Sequence, residues 1–221
     1  MKQKEALENA RKLYRKTPLF SRFLQSVRPY VCPFHRLIEL VPEQSSILDI
    51  GCGAGLWDAL LVCSGRASSV YGFDAGRAAI DAAEKMRAEL PEKLRNKLTF
   101  EFRKVEDGMP GGTYDVVSMI DLMHHVPLDA RSALLEDALN SIRPGGLLLY
   151  KDMDETPLIP ATMNRLHDLV VARQWIKYCP LENVIEWAKS SGAEIKENHH
   201  WRMLWYCHEV LVIRKPENQR N

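Results

Sequence analysis

The sequence predicts an α/β fold: a doubly wound, Rossmann-like sheet of seven mostly parallel strands, with a terminal antiparallel hairpin and an N-terminal helical lid. Three observations predict it. Short apolar strands alternate with helical stretches through the middle of the chain. A Gly-x-Gly-x-Gly loop joins the first of those strands to the first of those helices. The chain ends on two strand-like segments.

Residues 1–41 read as two or three short helices, punctuated by Pro18, Pro29, Pro33 and Pro42, each of which disfavours helix at the residue before it. Strand 46–50 has no helical period and runs into Gly51-Cys-Gly-Ala-Gly55, followed by a helix over 56–63. A second strand, 69–73, ends at Asp74, and a helix follows from Arg77 to about Leu90, with Pro91 beyond it. Strands three and four cover 98–102 and 114–120. A helix over about 129–142 is stopped by Arg143-Pro-Gly-Gly146, and strand five covers 147–150. Helices over 164–178 and 181–191 precede the hairpin strands, Glu194 to about Trp201 and Trp205 to Arg214. The chain divides into a cap at 1–41 and a main domain at 42–221, with 156–180 as a helical lid insertion.

A chain of 221 residues that is 46% hydrophobic can bury one substantial core. No apolar run approaches the roughly 18 residues of a membrane span, and a segment charged from Lys2 onward does not read as a secretory signal. The five cysteines are scattered with no CxxC pair, which points to a reduced, cytoplasmic protein. The net charge of +1 hides an asymmetry, since residues 1–36 hold nine Lys/Arg and two Glu. That basic segment suits an anionic partner or substrate, or is a solvated helix face.

In a sheet of this kind the ligand crevice lies at the carboxyl ends of the strands. There the topology gathers Gly51–Gly55, Asp74, Val105–Asp107, Asp121–His125 and Lys151–Asp154. Glycines let a ligand approach the backbone where the next helix offers its N–H groups. The dinucleotide version of the loop needs glycine at position 56, where Leu56 stands, so nicotinamide and flavin cofactors are disfavoured. Asp74, at the tip of the second strand, can accept from two ribose hydroxyls. The plain alternative is a structural turn with a capping Asp.

Four motifs, Ile47-Leu-Asp-Ile-Gly-Cys-Gly-Ala-Gly55, Tyr71-Gly-Phe-Asp74, Tyr114-Asp-Val-Val-Ser-Met-Ile-Asp121 and Arg143-Pro-Gly-Gly-Leu147, resemble the class I S-adenosylmethionine-dependent methyltransferases over roughly residues 45–214. The resemblance implies S-adenosyl-L-methionine as cofactor, with S-adenosyl-L-homocysteine as its product. It implies that Gly51, Gly53 and Gly55 wrap the methionine part and that Asp49 orients the loop and helps hold the amino group. Asp74 would bind the ribose, Ala75 would lie against the adenine, and Ile120 would face the methionine through its backbone. Val105 could give its N–H to the adenine ring, and either Glu106 or Asp107 could take the adenine amine.

Methyl transfer is an in-line displacement that, for a hydroxyl acceptor, also needs a proton removed. If Asp121-Leu-Met-His-His125 forms one helical turn, Asp121, His124 and His125 share a face. This turn resembles that of the ubiquinone-pathway O-methyltransferases. Three readings stay open. Either histidine is a general base, the trio holds a divalent metal, or the histidines are structural. Asp152 could touch the acceptor or cap a loop, and Tyr14 and Trp175 belong to an aromatic set that suits an aromatic acceptor.

The acceptor motifs of nucleic-acid and arginine methyltransferases are missing from the expected places, which leaves a small hydroxylated or aromatic metabolite and O- or C-methylation. Residues 164–175 with Leu204-Trp-Tyr206 look similar to methyltransferases of bacterial aryl-polyene pigment clusters, whose acceptors ride on an acidic acyl carrier protein. The alternatives are a non-catalytic S-adenosylmethionine-binding regulator, or an RNA methyltransferase using the basic N-terminal segment. Nucleic acid is the less favoured partner.

Overall fold

The structure, a computed structural model, describes residues 1–154, 179–204 and 206–217. The predicted helix at 164–178 lies outside these residues, as do Trp175 and almost all of the 156–180 insertion.

Seven strands form one sheet: β1 (Ser45–Ile50), β2 (Ala67–Asp74), β3 (Leu98–Phe102), β4 (Tyr114–Ile120), β5 (Ile142–Met153), β6 (Glu194–Met203) and β7 (Tyr206–Arg214). Their spatial order is β3-β2-β1-β4-β5-β7-β6. The first five are parallel, and β7 runs antiparallel between β5 and β6. The order reverses beside β1, so the carboxyl ends of β1 and β4 flank the crevice where such sheets bind ligands.

Three helices precede the sheet: α1 (Gln3–Leu13), α2 (Leu19–Val31) and α3 (Phe34–Leu40). Then come α4 (Leu56–Cys63), α5 (Arg77–Ala88), the single turn α6 (Glu92–Arg95), α7 (Arg131–Asn140) and α8 (Leu181–Ser190). Strand alternation divides the apolar side chains between two cores. Ile47, Val116, Leu149, Val210 and Val212 share one with α1, α3 and α4. Leu48, Val117, Leu148, Leu211 and Ile213 share the other with α7 and α8. Ala6, Ala10, Leu13, Leu37 and Ile38 of α1 and α3 are buried in the first core, so those two helices are part of the globule.

Two local readings need correction. Pro29 does not interrupt the N-terminal helices: α2 continues through it to Val31. A proline in the last turn forfeits one backbone hydrogen bond, but the next bond back, from Cys32 N to Arg28 O at 2.8 Å, is made. Strand five is also longer than 147–150. It starts at Ile142, takes Arg143-Pro-Gly-Gly146 as an irregularity in its pairing with β4, and runs on to Met153. Lys151 and Asp152 are therefore strand residues, paired with Val210 and Glu209 of β7 and pointing to opposite faces.

The glycine loop shows why glycine stands at Gly55. Its φ is +77°, and a Cβ there would lie 2.7 Å from Phe100 and 2.9 Å from Met86. Strand β3 and helix α5 thus press against the loop with no room for a methyl. Gly55→Ala should lower unfolding stability by roughly 2–4 kcal/mol, from left-handed strain plus overpacking. Urea denaturation checks this.

Candidate active site

Asp74 fixes the shape of the glycine loop. Its Oδ2 accepts the Gly53 N–H at 2.9 Å and its Oδ1 accepts the Gly76 N–H at 2.7 Å. The carbonyl of Phe73 accepts the N–H groups of Gly51 and Cys52 at 2.9 and 3.0 Å. Gly51, Gly53 and Gly55 all have positive φ, which glycine adopts without a Cβ penalty. The carboxylate of Asp74 is half-buried, and each oxygen keeps a second lone pair. It can tie the loop and accept from a ribose at once. Ala75 is exposed at the same strand tip. Val105–Asp107 forms a 3₁₀ turn in which Asp107 accepts the Lys104 N–H at 3.0 Å, while Glu106 is exposed. Ile120 closes β4, buried beside Lys151.

Under the loop lies an arrangement the sequence reading lacked. Asp49 is buried and accepts from its cross-strand neighbour Ser118 at 2.5 Å, and Ser118 accepts from the Trp57 indole at 3.2 Å. Asp58, in the first turn of α4, is fully buried and hydrogen-bonded to Asp49. Burial pushes the Asp49 carboxyl up to about 7, against the pull of Ser118 and Arg28. Burial and then the adjacent Asp49 raise Asp58 well above the carboxylate range. Two carboxyls this close hold at least one proton between them at neutral pH.

Arg28, in α2, reaches over the loop. Its Nη1 comes within 3.6 Å of where a Cβ on Gly53 would stand, and its Nη2 lies 3.7 Å from Asp121. Asp121 sits just past β4 with φ +57°, and its carboxylate is also paired with the buried Lys151. Burial alone would raise Asp121, but Lys151 and Arg28 overcome that and hold it far below the usual carboxylate range. Asp121 is thus an ionised anchor between two cations.

The turn after β4 differs from the expected one. Asp121 lies outside it, and a 3₁₀ turn covers Met123–His125. His124 is buried, with Nδ1 2.5 Å from Asp152 Oδ1 and its backbone N–H on Asp152 Oδ2 at 3.2 Å. His125 is exposed and its ring lies 4.1 Å from that of His124. The donor atoms of Asp121, His124 and His125 do not gather within 4.8 Å of one another, so the trio does not form a metal cage. Asp152 is a strand residue that does not line the cavity described below. It is buried under His124 and orients the ring. Tyr14 also moves: it is fully buried and its hydroxyl donates to the Ala54 carbonyl at 2.5 Å, which makes it a support of the glycine loop.

Between α2 and the sheet is a cavity of about 260 Å³. Asp121, His124 and His125 line it at one end, Lys151 and His208 from the sheet, and Gln25 and Arg28 from α2. Leu24, Val27 and Val31 supply its apolar wall. Local sequence pattern does not single out Arg28, Gln25 or His208, and it gives Lys151 no role. One signal was present for His208, a polar residue in phase with Val210 and Val212 on a strand that is otherwise buried.

Residues 22–198 match the methyltransferase-domain family. The chain belongs to that family, and its fold is the class I, S-adenosylmethionine-dependent methyltransferase fold. A Candida albicans relative, the mitochondrial ubiquinone biosynthesis O-methyltransferase, is 30% identical over 117 residues, 52% of this chain and 35% of that protein. The ubiquinone biosynthesis O-methyltransferase of Neisseria meningitidis serogroup C is 27% identical over 65% of this chain and 56% of its own length. This chain therefore spans between about a third and just over half of those relatives. Among solved structures, the magnesium protoporphyrin IX methyltransferase of Synechocystis PCC 6803 with bound S-adenosylhomocysteine superposes with a TM-score of 0.68. That match covers 96% of this chain and 95% of that one at 18% identity.

The Asp49–Asp58 pair sets a pH dependence. Both groups bind protons more tightly folded than unfolded, so stability falls as pH rises from about 4 through about 7. Asp58→Asn removes one of the two titrating carboxyls and still offers a donor to Asp49. Its Tm between pH 5 and pH 8.5 should fall less than that of the wild type, which a thermal-melt series measures.

Proposed function

We propose that this chain transfers a methyl group from S-adenosylmethionine to a hydroxyl of a small acceptor held in the cavity under α2. The observation that carries the reading is that His124, held by Asp152, lines a cavity whose wall includes Arg28, the side chain that also reaches over Gly53 of the glycine loop.

The residues present fit the cofactor. A loop of left-handed glycines gives close backbone approach, Asp74 offers lone pairs to a diol, and Arg28 lies over Gly53 where a carboxylate can be met. With Asp58 holding the proton the pair shares, Asp49 is the carboxyl under the loop left for an ammonium group. Glu106 is the exposed acid at the β3 end for the adenine amine, since Asp107 is turned back on its own backbone. When bound, the cofactor supplies a methyl carbon on a positively charged sulfur. This chain's residues hold the acceptor oxygen in line and take its proton. Asp152 on Nδ1 fixes the His124 ring and stabilises its protonated form, the arrangement that makes an imidazole an effective base. His125, at the exposed mouth, faces the acceptor's approach.

A finer reading, delivery of the acceptor on an acidic carrier protein, is supported by the outer side of the N-terminal helices. Leu19, Phe20 and Phe23 are exposed among Arg11, Lys12, Arg15, Lys16 and Arg22. Salt-sensitive binding of an acidic acyl carrier protein tests it; an equally salt-sensitive affinity for RNA would favour the nucleic-acid alternative.

Calorimetry with S-adenosylmethionine tests the cofactor half. Asp74→Ala should weaken binding by about 1.5–3 kcal/mol, the scale of a lost charged hydrogen bond. Product formation tests the chemistry. His124→Gln should lower kcat roughly 100-fold with cofactor affinity within twofold of wild type. A regulator without turnover would bind cofactor, form no methylated product, and be indifferent to the His124 change.

A further inference from the structure

Two buried polar side chains that line the cavity are left with unmatched atoms. His208, on β7 in the sheet floor, is 2% exposed; neither ring nitrogen makes a hydrogen bond of ordinary geometry, and among the described residues the Val31 backbone is the one protein group within reach of the ring. Gln25, on α2 in the roof, is 8% exposed and its Oε1 accepts nothing. Both line the cavity. A buried unpartnered polar atom costs stability, so native proteins keep few of them without a reason. Asp58, whose oxygens also lack an ordinary donor, is accounted for by its carboxyl neighbour Asp49. For the Gln25–His208 couple the Val31 backbone accounts for at most one ring nitrogen, and the other nitrogen and the Gln25 oxygen have no such internal account.

The charges around the couple are settled within the protein. Asp121 is satisfied by Lys151 and Arg28, and His124 by Asp152. What the cavity leaves unmatched is neutral: one amide oxygen that only accepts, and one imidazole. Burial and the Lys151 ammonium keep the His208 ring uncharged, its pKa lowered to about 3 despite Asp121 and the Val31 backbone. A neutral imidazole offers one N–H and one lone pair. A base this weak does not take the acceptor's proton at neutral pH, so its part is to bind. The apolar wall of Leu24, Val27 and Val31 suits a ring between the two polar groups. At about 260 Å³ the space is below the usual 300–1,000 Å³ range for drug-sized ligands, which fits a small acceptor head.

We infer that Gln25 and His208 are the acceptor-recognition pair of this enzyme, and that they select a phenolic head by its O–H, which donates to the Gln25 amide oxygen or to the lone pair of the His208 ring. The inference rests on the methyltransferase reading above and names the side chains that would set its acceptor specificity.

The test uses the full chain loaded with S-adenosylhomocysteine and three probes of similar shape: phenol, catechol and anisole. Anisole has the ring and the oxygen but no O–H to donate. Wild type should bind phenol and catechol at least tenfold tighter than anisole. Gln25→Leu and His208→Leu should each shrink that preference to threefold or less, with S-adenosylhomocysteine affinity within twofold of wild type. Each variant should also melt at or above the wild-type Tm, because it removes an unsatisfied buried group. A structural role would give the opposite sign. Discrimination retained in both variants, no discrimination in the wild type, or a Tm loss in both variants with preference unchanged would overturn the inference while leaving the methyltransferase reading in place. Failure of wild type to bind S-adenosylhomocysteine would bring down that reading, and this one with it.

Discussion

The site hangs on the ion pair between Lys151 and Asp121. Lys151 is buried on β5 and Asp121 sits just past the end of β4, so the pair cross-links the exits of two adjacent strands. Burial would lower Lys151, and Asp121 reverses that and raises it. Neither charge is tolerable there without the other, and removing one partner of such a pair typically costs about 3–5 kcal/mol. The pair also recruits Arg28, which brings α2 down over the sheet. The left-handed backbone of Asp121 follows from this tether: strain at a non-glycine residue persists where the surroundings over-determine it. From that fixed point the chain turns into Met123–His125 and presents His124 to Asp152.

Carboxylates on this edge divide their labour by environment. Asp74 is half-buried and satisfied by backbone N–H groups, so it can shape the loop and still serve a ligand. Asp121 is held ionised by cations, and Asp152 is tied to an imidazole. Asp49 and Asp58 are pressed together out of water and retain protons. Five acids of the same chemistry perform four different tasks, and only their neighbours distinguish them.

Much of the architecture was legible in the sequence because its signals are local. Strand β3, strand β4 and helix α4 have the bounds that apolar runs and punctuation predict. The Gly51–Gly55 loop and Asp74 were legible for the same reason, since strand, loop and acid lie in one continuous stretch. The misjudged pieces depend on partners far away in sequence. Pro29 looked like a breaker because the bond from Cys32 and the anchoring of Arg28 are invisible to local rules. Lys151 and Asp152 looked like loop residues because their pairing partners, Val210 and Glu209, come some sixty residues later. Once β5 is extended, alternation alone separates Lys151 toward α2 from Asp152 toward His124. Gln25 and His208 carry no motif, and only the packing of α2 onto β7 makes them neighbours in one cavity.

Helix α2 has an architectural duty that its modest length conceals. Through Arg28 it touches the glycine loop, and through Gln25, Leu24 and Val27 it walls the cavity. A molecule seated at the loop or in the cavity would rest against this shared helix. Whatever one occupant does to that helix the other would feel, and by reciprocity each would change the other's affinity by the same factor. A methyl donor at the loop and an acceptor in the cavity would then have one helix as their common wall.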